Sequence, residues 1–454
     1  MKLNRAQKMW LAVALVAIAT HQAYMYRQVL PLIDEVYSWL FFGGKGFWVS
    51  LTNYSTTNNH ILYNLCTAFW ATFVPDTVLA TRLTSIVSFW VLLSYIFLYL
   101  YQKTNFNIAF WAVCLVGLGF SQAVFSVQGR GYMLMALCAF GAVCSAIEYI
   151  EKPQNKHLAY FAGWNVAGLF ASPVFVCTTV GVYGFWVWQA RKIQNVRKIV
   201  LVTVAISLAT FLLYLPMLLV FGLEGFLASQ KDNLRPTNFG LFLTYILPIC
   251  LRESVQYLMG LPKYTSFIAF SIFIVLLSVF YTKLHAVGKT WVVYLLASFM
   301  FTLAFIVVGK TFPLYRIWTY YAVLGAVAVA FLIDALLPKP HAWVQGTLFL
   351  GLVVGSFAQF EYARQDFYDR DTIANCEKLR DKFLQIAEKN VLVYLSEDAF
   401  YGIFWFRQVG KAHLLVGKSC EARIGVSAHN KPLPTCLQKQ ERIWFLDFYA
   451  ISPF

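Results

Sequence analysis

The stretch MWLAVALVAIATHQAYMYRQVLPLIDE, residues 9–35, decides the fold. It begins as an apolar run of membrane length and ends in two adjacent carboxylates, Asp34 and Glu35. A helix over 9–30 is long enough to cross roughly 30 Å of hydrocarbon. A pair of acids at a bilayer surface is costly to hold, and by default it marks a functional site.

The composition agrees with a membrane chain. Of 454 residues 59% are hydrophobic and only 13% charged, which excludes an ordinary soluble globule and gives an all-α polytopic membrane protein. The 14 Trp and 26 Tyr suit helix ends at headgroup depth. The net charge of +15 lies mostly in connections between apolar runs, so no nucleic-acid partner is expected. The segment after Lys8 lacks a small-residue cleavage site and reads as a retained first helix. Six cysteines (Cys66, Cys114, Cys138, Cys144, Cys177 and Cys250) lie in apolar stretches and read as packing residues. Cys376, Cys420 and Cys436 lie in the polar C-terminal part, where one pair could bridge and the spacing does not choose which.

Spanning runs are expected at 9–30, 78–101, 106–127, 131–150, 157–171, 173–190, 197–221, 264–282, 289–309, 317–337 and 343–360, about eleven in all. Basic connections recur at Lys103, Lys152 with Lys156, Arg191 to Lys198, Lys283 with Lys289, and Lys339. Placed inside with Lys2, Arg5 and Lys8, they give a cytoplasmic amino terminus and an extracytoplasmic carboxyl terminus. Residues 59–74 are too short to span, near 22 Å of helix, and read as interfacial, as does 239–262 with Pro248, Arg252, Glu253 and Pro262. Residues 1–360 thus form a transmembrane domain. Residues 361–454 turn polar and read as a small α/β extracytoplasmic domain, with a helix over 371–390 and strands at 390–395, 412–416 and 443–448.

On this map one face collects the groups able to carry chemistry. Asp34 is the candidate base and Glu35 its supporting carboxylate, against the plainer reading of a solvated helix cap. Arg82, Arg130 (inside Gly129-Arg130-Gly131), Lys310 and Arg316 are cations that the inside-positive bias leaves unexplained. Forked guanidinium groups suit phosphate oxygens, and glycines let a backbone approach an anion closely. Snorkelling, or pairing with Asp76, is the plainer account of each one singly. Asn59, His60 and Tyr132 are candidates for orienting an acceptor, although Asn58 or Asn59 could equally cap a helix. A divalent metal is left open, with Glu35 and His60 as its ligands; no tightly bound cofactor is expected. Asp369-Arg370-Asp371 has an Asp-x-Asp form but suits a helix start.

In this order these residues resemble the GT-C superfamily of integral-membrane glycosyltransferases, which includes protein O-mannosyltransferases, aminoarabinose transferases and many bacterial relatives. The likeness runs through Leu32-Ile-Asp34-Glu35-Val-Tyr37, Thr57-Asn-Asn-His60-Ile-Leu-Tyr63-Asn64, Ala80-Thr-Arg82-Leu-Thr-Ser85 and Ser126-Val-Gln-Gly-Arg130-Gly-Tyr132. Tyr214-Leu-Pro216 and Pro313-Leu-Tyr315-Arg316 extend it over most of residues 1–340. It departs where many relatives have His-Pro-Pro and this chain has Asn58-Asn59-His60-Ile61, and where Gly131 replaces a proline.

The resemblance implies a GT-C fold in a bacterial cytoplasmic (inner) membrane. It also implies an acid of the first external loop as base and a polyprenyl-phosphate sugar as donor. The acceptor stays open among glycan, lipid and protein, with membrane lipids as surroundings. The competing reading is a transporter or flippase for a lipid-linked or anionic substrate, which predicts mid-bilayer charges and paired broken helices.

Overall fold

Short polar side chains write the helix starts. Asn4 forms a capping box with Gln7, Asp76 accepts from the Leu79 amide at 2.7 Å, and Asn105 accepts from the Ile108 amide at 2.9 Å. Asp76 is therefore a cap, and the pairing of Arg82 with it does not occur. The computed structural model describes residues 3–29, 31, 33–54, 59–190, 196–229, 238–310, 315–338 and 341–367, together with 392–395, 443–446 and 451–453.

The helices run, in order, α1 (Arg5–Gln28), α2 (Ile33–Phe41), α3 (Phe47–Thr52), α4 (Ile61–Trp70), α5 (Thr77–Lys103), α6 (Phe106–Leu118), α7 (Phe120–Val127), α8 (Tyr132–Glu151) and α9 (Asn155–Ala171). They continue with α10 (Val176–Ala190), α11 (Val196–Phe221), α12 (Leu223–Ser229), α13 (Phe239–Leu241), α14 (Leu247–Met259), α15 (Lys263–Phe280), α16 (Ala286–Gly309), α17 (Thr319–Leu336) and α18 (Ala342–Phe367). Eight are long and apolar enough to cross a membrane: α1, α5, α8, α11, α15, α16, α17 and α18. The eleven expected crossings are thus eight among the described residues, or nine if α6 and α7 make one span bent by 60° at Gly119. The expected spans at 157–171 and 173–190 are helices of 17 and 15 residues, short for the hydrocarbon thickness. The runs read as interfacial, α4 and the α13–α14 segment, are short helices as well.

The last helix continues to Phe367, past the expected domain boundary at 360. Beyond it, 392–395 pairs parallel with 443–446, which pairs antiparallel with 451–453. The helix over 371–390, the strand near 412–416, Asp369-Arg370-Asp371, Cys376, Cys420 and Cys436 lie outside the described residues. The six cysteines of the helical part are all free, and all but Cys66 are buried.

The centre of the bundle is α8, whose spanning window is 83% buried, flanked by α9, α5 and α17; α11, α15 and α18 keep most of their surface outward. Lipid tails give helices little hydrophobic reason to associate, so small residues and interhelical hydrogen bonds hold the bundle. Trp291 Nε1 donates to the Leu324 carbonyl, Tyr294 Oη to that of Val182, and Thr302 Oγ1 to that of Cys177. These bonds tie α16 to α17 and α10. Gly181 makes the α10–α16 approach feasible: a Cβ there would lie 2.4 Å from Thr302 Oγ1 and 2.5 Å from the Ser298 carbonyl oxygen. Gly181→Ala is expected to destabilise the protein by about 1–3 kcal/mol, read as a lower melting temperature in detergent.

Two kinds of chemistry separate to the two ends of the bundle. Lys103, ending α5, pairs with Glu148 and Glu151 at the end of α8, and Asn107 binds Asp334 near the end of α17. The opposite end gathers the end of α1 and the starts of α5, α8 and α17, and the acid pair lies there.

Candidate functional site

Asp34 and Glu35 occupy the first turn of α2, where carboxylates suit the helix dipole. Adjacent residues on a helix point about 100° apart, so the two acids meet different partners. Glu35 is 2% exposed and faces Arg82, itself 1% exposed. Arg82 Nε reaches Glu35 Oε1 at 2.8 Å and Nη2 reaches Oε2 at 3.3 Å, a two-pronged pair. The same guanidinium donates to the carbonyls of Tyr26 at 3.1 Å and Val29 at 2.8 Å, and lies over the Tyr26 ring. Arg82 thus closes the carbonyl end of α1 and fastens it to α2. Sealed in this way, it does not suit the phosphate-binding role expected of it.

Asp34 points elsewhere. Its carboxylate pairs with Arg316 Nη1, and the two side chains are 22% and 34% exposed. Arg316 lies in the single helical turn Tyr315–Trp318 that leads into α17. Arg130 stands between the acids and α4, 4% exposed: Nη1 donates to the Asp34 carbonyl at 3.4 Å and Ser38 Oγ at 3.1 Å, while Nη2 meets His60 Nε2 at 3.0 Å. Tyr132 lies edge-on to His60 and beneath the Arg130 guanidinium. Burial, with the charge of Arg130 next, holds the His60 imidazole well below its ordinary pKa range. Seven of the sequence-derived candidates therefore meet: Asp34, Glu35, Arg82, Arg130, Arg316, His60 and Tyr132. Three guanidiniums face two carboxylates.

The other two candidates lie differently. Asn59 is fully buried, donates to the carbonyls of Ser50 and Asn53 and accepts from Asn64 Nδ2, so it ties α3 to α4. It neither caps α4 nor offers a group to an acceptor; Asn58 lies outside the described residues. Lys310 ends α16 in the left-handed region (φ 46°), its ammonium 5.9 Å from the centre of the Phe239 ring.

The residues named for a metal do not fit one. Both Glu35 oxygens are taken by Arg82, the Nε2 lone pair of His60 is aimed at a guanidinium, and no cluster of three or more such ligands occurs among the described residues.

One residue of the site, Ser38, was not singled out in the sequence, and the glycines beside Arg130, read there as letting the backbone approach an anion, act instead on side chains of the protein. Ser38 is four residues after Asp34, so both lie on one face of α2, a spacing that could have flagged it. Gly129 matters through shape: a Cβ there would sit 2.4 Å from Thr81 Cγ2 and 2.7 Å from Glu35 Cγ. At Gly131 a Cβ would lie 2.7 Å from His60 Nδ1. The two glycines let the Arg130 turn press directly on Glu35 and His60. Gly129→Ala is expected to cost about 1–3 kcal/mol by pushing the turn off the Glu35–Arg82 pair, a loss readable by thermal melting.

Next to this cluster an apolar cavity of about 570 Å³ opens between the α6–α7 bend, α14, α15, α17 and α18, with Gln122, Ser356 and Gln359 as its polar wall. Gln122 Nε2 donates to the Thr319 carbonyl, and Thr319 Oγ1 to that of Arg316, so the cavity wall adjoins the Arg316 turn. Comparison with family models and with curated proteins returned no match, so the functional reading stands on this geometry and on the sequence.

Proposed function

We propose that the chain is a glycosyltransferase of GT-C type that moves a sugar from a polyprenyl-phosphate donor to an acceptor hydroxyl at the extracytoplasmic face of a bacterial inner membrane. The observation that carries this reading is the division of labour between the two acids. Glu35 is locked with Arg82 as a strut, whereas Asp34 and Arg316 form a partly exposed pair beside an apolar cavity. A lipid-linked phosphate is already a good leaving group, so the site has to supply a base for the acceptor and a cation for the departing phosphate. Asp34 and Arg316 are those two groups. On arrival the donor phosphate exchanges with Asp34 on the guanidinium, which frees the carboxylate to take the acceptor proton. The donor's isoprenoid tail lies in the cavity whose wall joins the Arg316 turn, and Lys310 is a further cation for the phosphate. One in-line displacement inverts the anomeric centre; recovery of a product with the donor's configuration would refute that step.

Helix α1 begins with Arg5 and Lys8 and ends beside the acid pair, so the inside-positive bias supports placing the amino terminus inside and the site outside. The transporter reading draws on the α6–α7 bend, but it predicts two broken helices in corresponding positions, and a single broken helix occurs among the described residues. Purified protein in liposomes, given radiolabelled polyprenyl-phosphate sugar and a panel of glycan, lipid and peptide acceptors, separates the two. Label on an acceptor supports the enzyme; label crossing the bilayer with no transfer supports transport.

A further inference from the structure

His60 sits at the start of α4, 4% exposed, where several elements converge. Arg130 reaches it from the α7–α8 turn and Tyr132 from the start of α8, while the charges of Asp34 on α2 and Arg316 before α17 also act on it. A guanidinium only donates hydrogen bonds. Nε2 of His60 is therefore the acceptor, the ring proton sits on Nδ1, and the imidazole is neutral. Nδ1 lies against Gly131 and finds no hydrogen-bond partner among the described residues. The other arm of the same guanidinium holds the Asp34 carbonyl and Ser38 Oγ. One side chain thus links the imidazole to the turn that carries Asp34.

We infer that His60 is a positioning residue for the transfer: as a neutral acceptor it orients Arg130, and Arg130 fixes the main chain of Asp34 so that its carboxylate meets Arg316. This rests on the reading of Asp34 as the base and adds the residue that keeps it in place. A proton on Nε2 would replace an acceptor by a donor and set two cations 3.0 Å apart. Burial and Arg130 depress the imidazole's affinity for that proton, Arg316 adds to this, and Asp34 opposes it. The folded state therefore binds the proton more weakly than the unfolded chain, whose histidine titrates near pH 6.5. The contribution of this contact to stability is complete above that pH and is lost as pH falls from there toward the folded value, while in the folded protein the contact itself holds until that lower value is reached.

The test compares the full-length wild type with His60→Gln, whose amide oxygen accepts from Arg130 at any pH, and with His60→Ala. Melting temperature and sugar transfer are measured between about pH 5 and 8, the range in which histidine titrates. The wild type is expected to lose stability on acidification below about pH 6.5, with His60→Gln flatter in its melting temperature and within about threefold of the wild-type rate at neutral pH. His60→Ala should fall at least about tenfold in rate. An acid slope unchanged by His60→Gln, or a wild-type rate in His60→Ala, overturns the inference. If the wild type transfers nothing at any pH, the glycosyltransferase reading fails, while the melting comparison still decides whether His60 is the neutral acceptor for Arg130. Should His60→Gln not fold, His60→Asn serves in its place.

Discussion

Glu35→Ala is expected to destabilise the protein by about 3–5 kcal/mol, enough to leave little folded material at physiological temperature. The reason is what stays behind. Arg82 is 1% exposed, and without the carboxylate its charge stays buried with, among the described residues, the carbonyls of Tyr26 and Val29 and the Tyr26 ring around it. Arg82→Ala is expected to be equally damaging, since it strands Glu35 and also orphans two carbonyls at the end of α1. The double change of Glu35 and Arg82 to leucine removes both charges together. It is expected to recover part of the loss, as buried ion pairs replaced by apolar side chains often do. Recovery stays incomplete because the Tyr26 and Val29 carbonyls then have no donor in place of Arg82. Denaturation in mixed micelles, followed by tryptophan fluorescence, ranks the variants. A double variant worse than the sum of the singles would show that the pair is not an isolated strut.

The contrast between the two acids shows where sequence reading reached and where it stopped. The spans at α1, α5, α8, α11 and α15–α18 were legible because long apolar runs without charge have few other folds available. The adjacency of Asp34 and Glu35 was legible as chemistry, but not their different fates. Glu35 finds Arg82 across 47 residues and Asp34 finds Arg316 across 282, and nothing local assigns one guanidinium to one carboxylate. The bend at Gly119 was missed because 106–127 carries no proline and no charged residue. The bend leaves no room for a side chain at this position: a Cβ on Gly119 would meet the Leu115 carbonyl oxygen at 2.7 Å and Gln122 Oε1 at 2.8 Å. Asn59 was misread for a related reason. A buried amide joining α3 to α4 and an exposed amide awaiting an acceptor are the same letter in a sequence.

Asp34→Asn is expected to lower sugar transfer by about 100- to 10,000-fold, the range for loss of a positioned general base. The fold should survive, because Asp34 and Arg316 are 22% and 34% exposed and a pair so open to solvent contributes at most about 1 kcal/mol. Melting temperature therefore separates the two acids: near wild type for Asp34→Asn, strongly lowered for Glu35→Ala. Donor affinity gives a sharper signature. Asp34 holds Arg316 in the resting site, so the donor phosphate competes with it for the guanidinium. Asp34→Asn removes the competitor and is expected to bind donor more tightly while turning it over less. Arg316→Ala does the reverse, weakening donor binding by about 10- to 100-fold for the loss of one or two charge-assisted hydrogen bonds. Arg316→Lys keeps the charge but not the fork and should fall between. Equilibrium binding of radiolabelled polyprenyl-phosphate sugar to the three variants, read beside their transfer rates, tests the exchange. Weaker donor binding in Asp34→Asn would mean that the aspartate holds the substrate itself, and would remove it from the role of base.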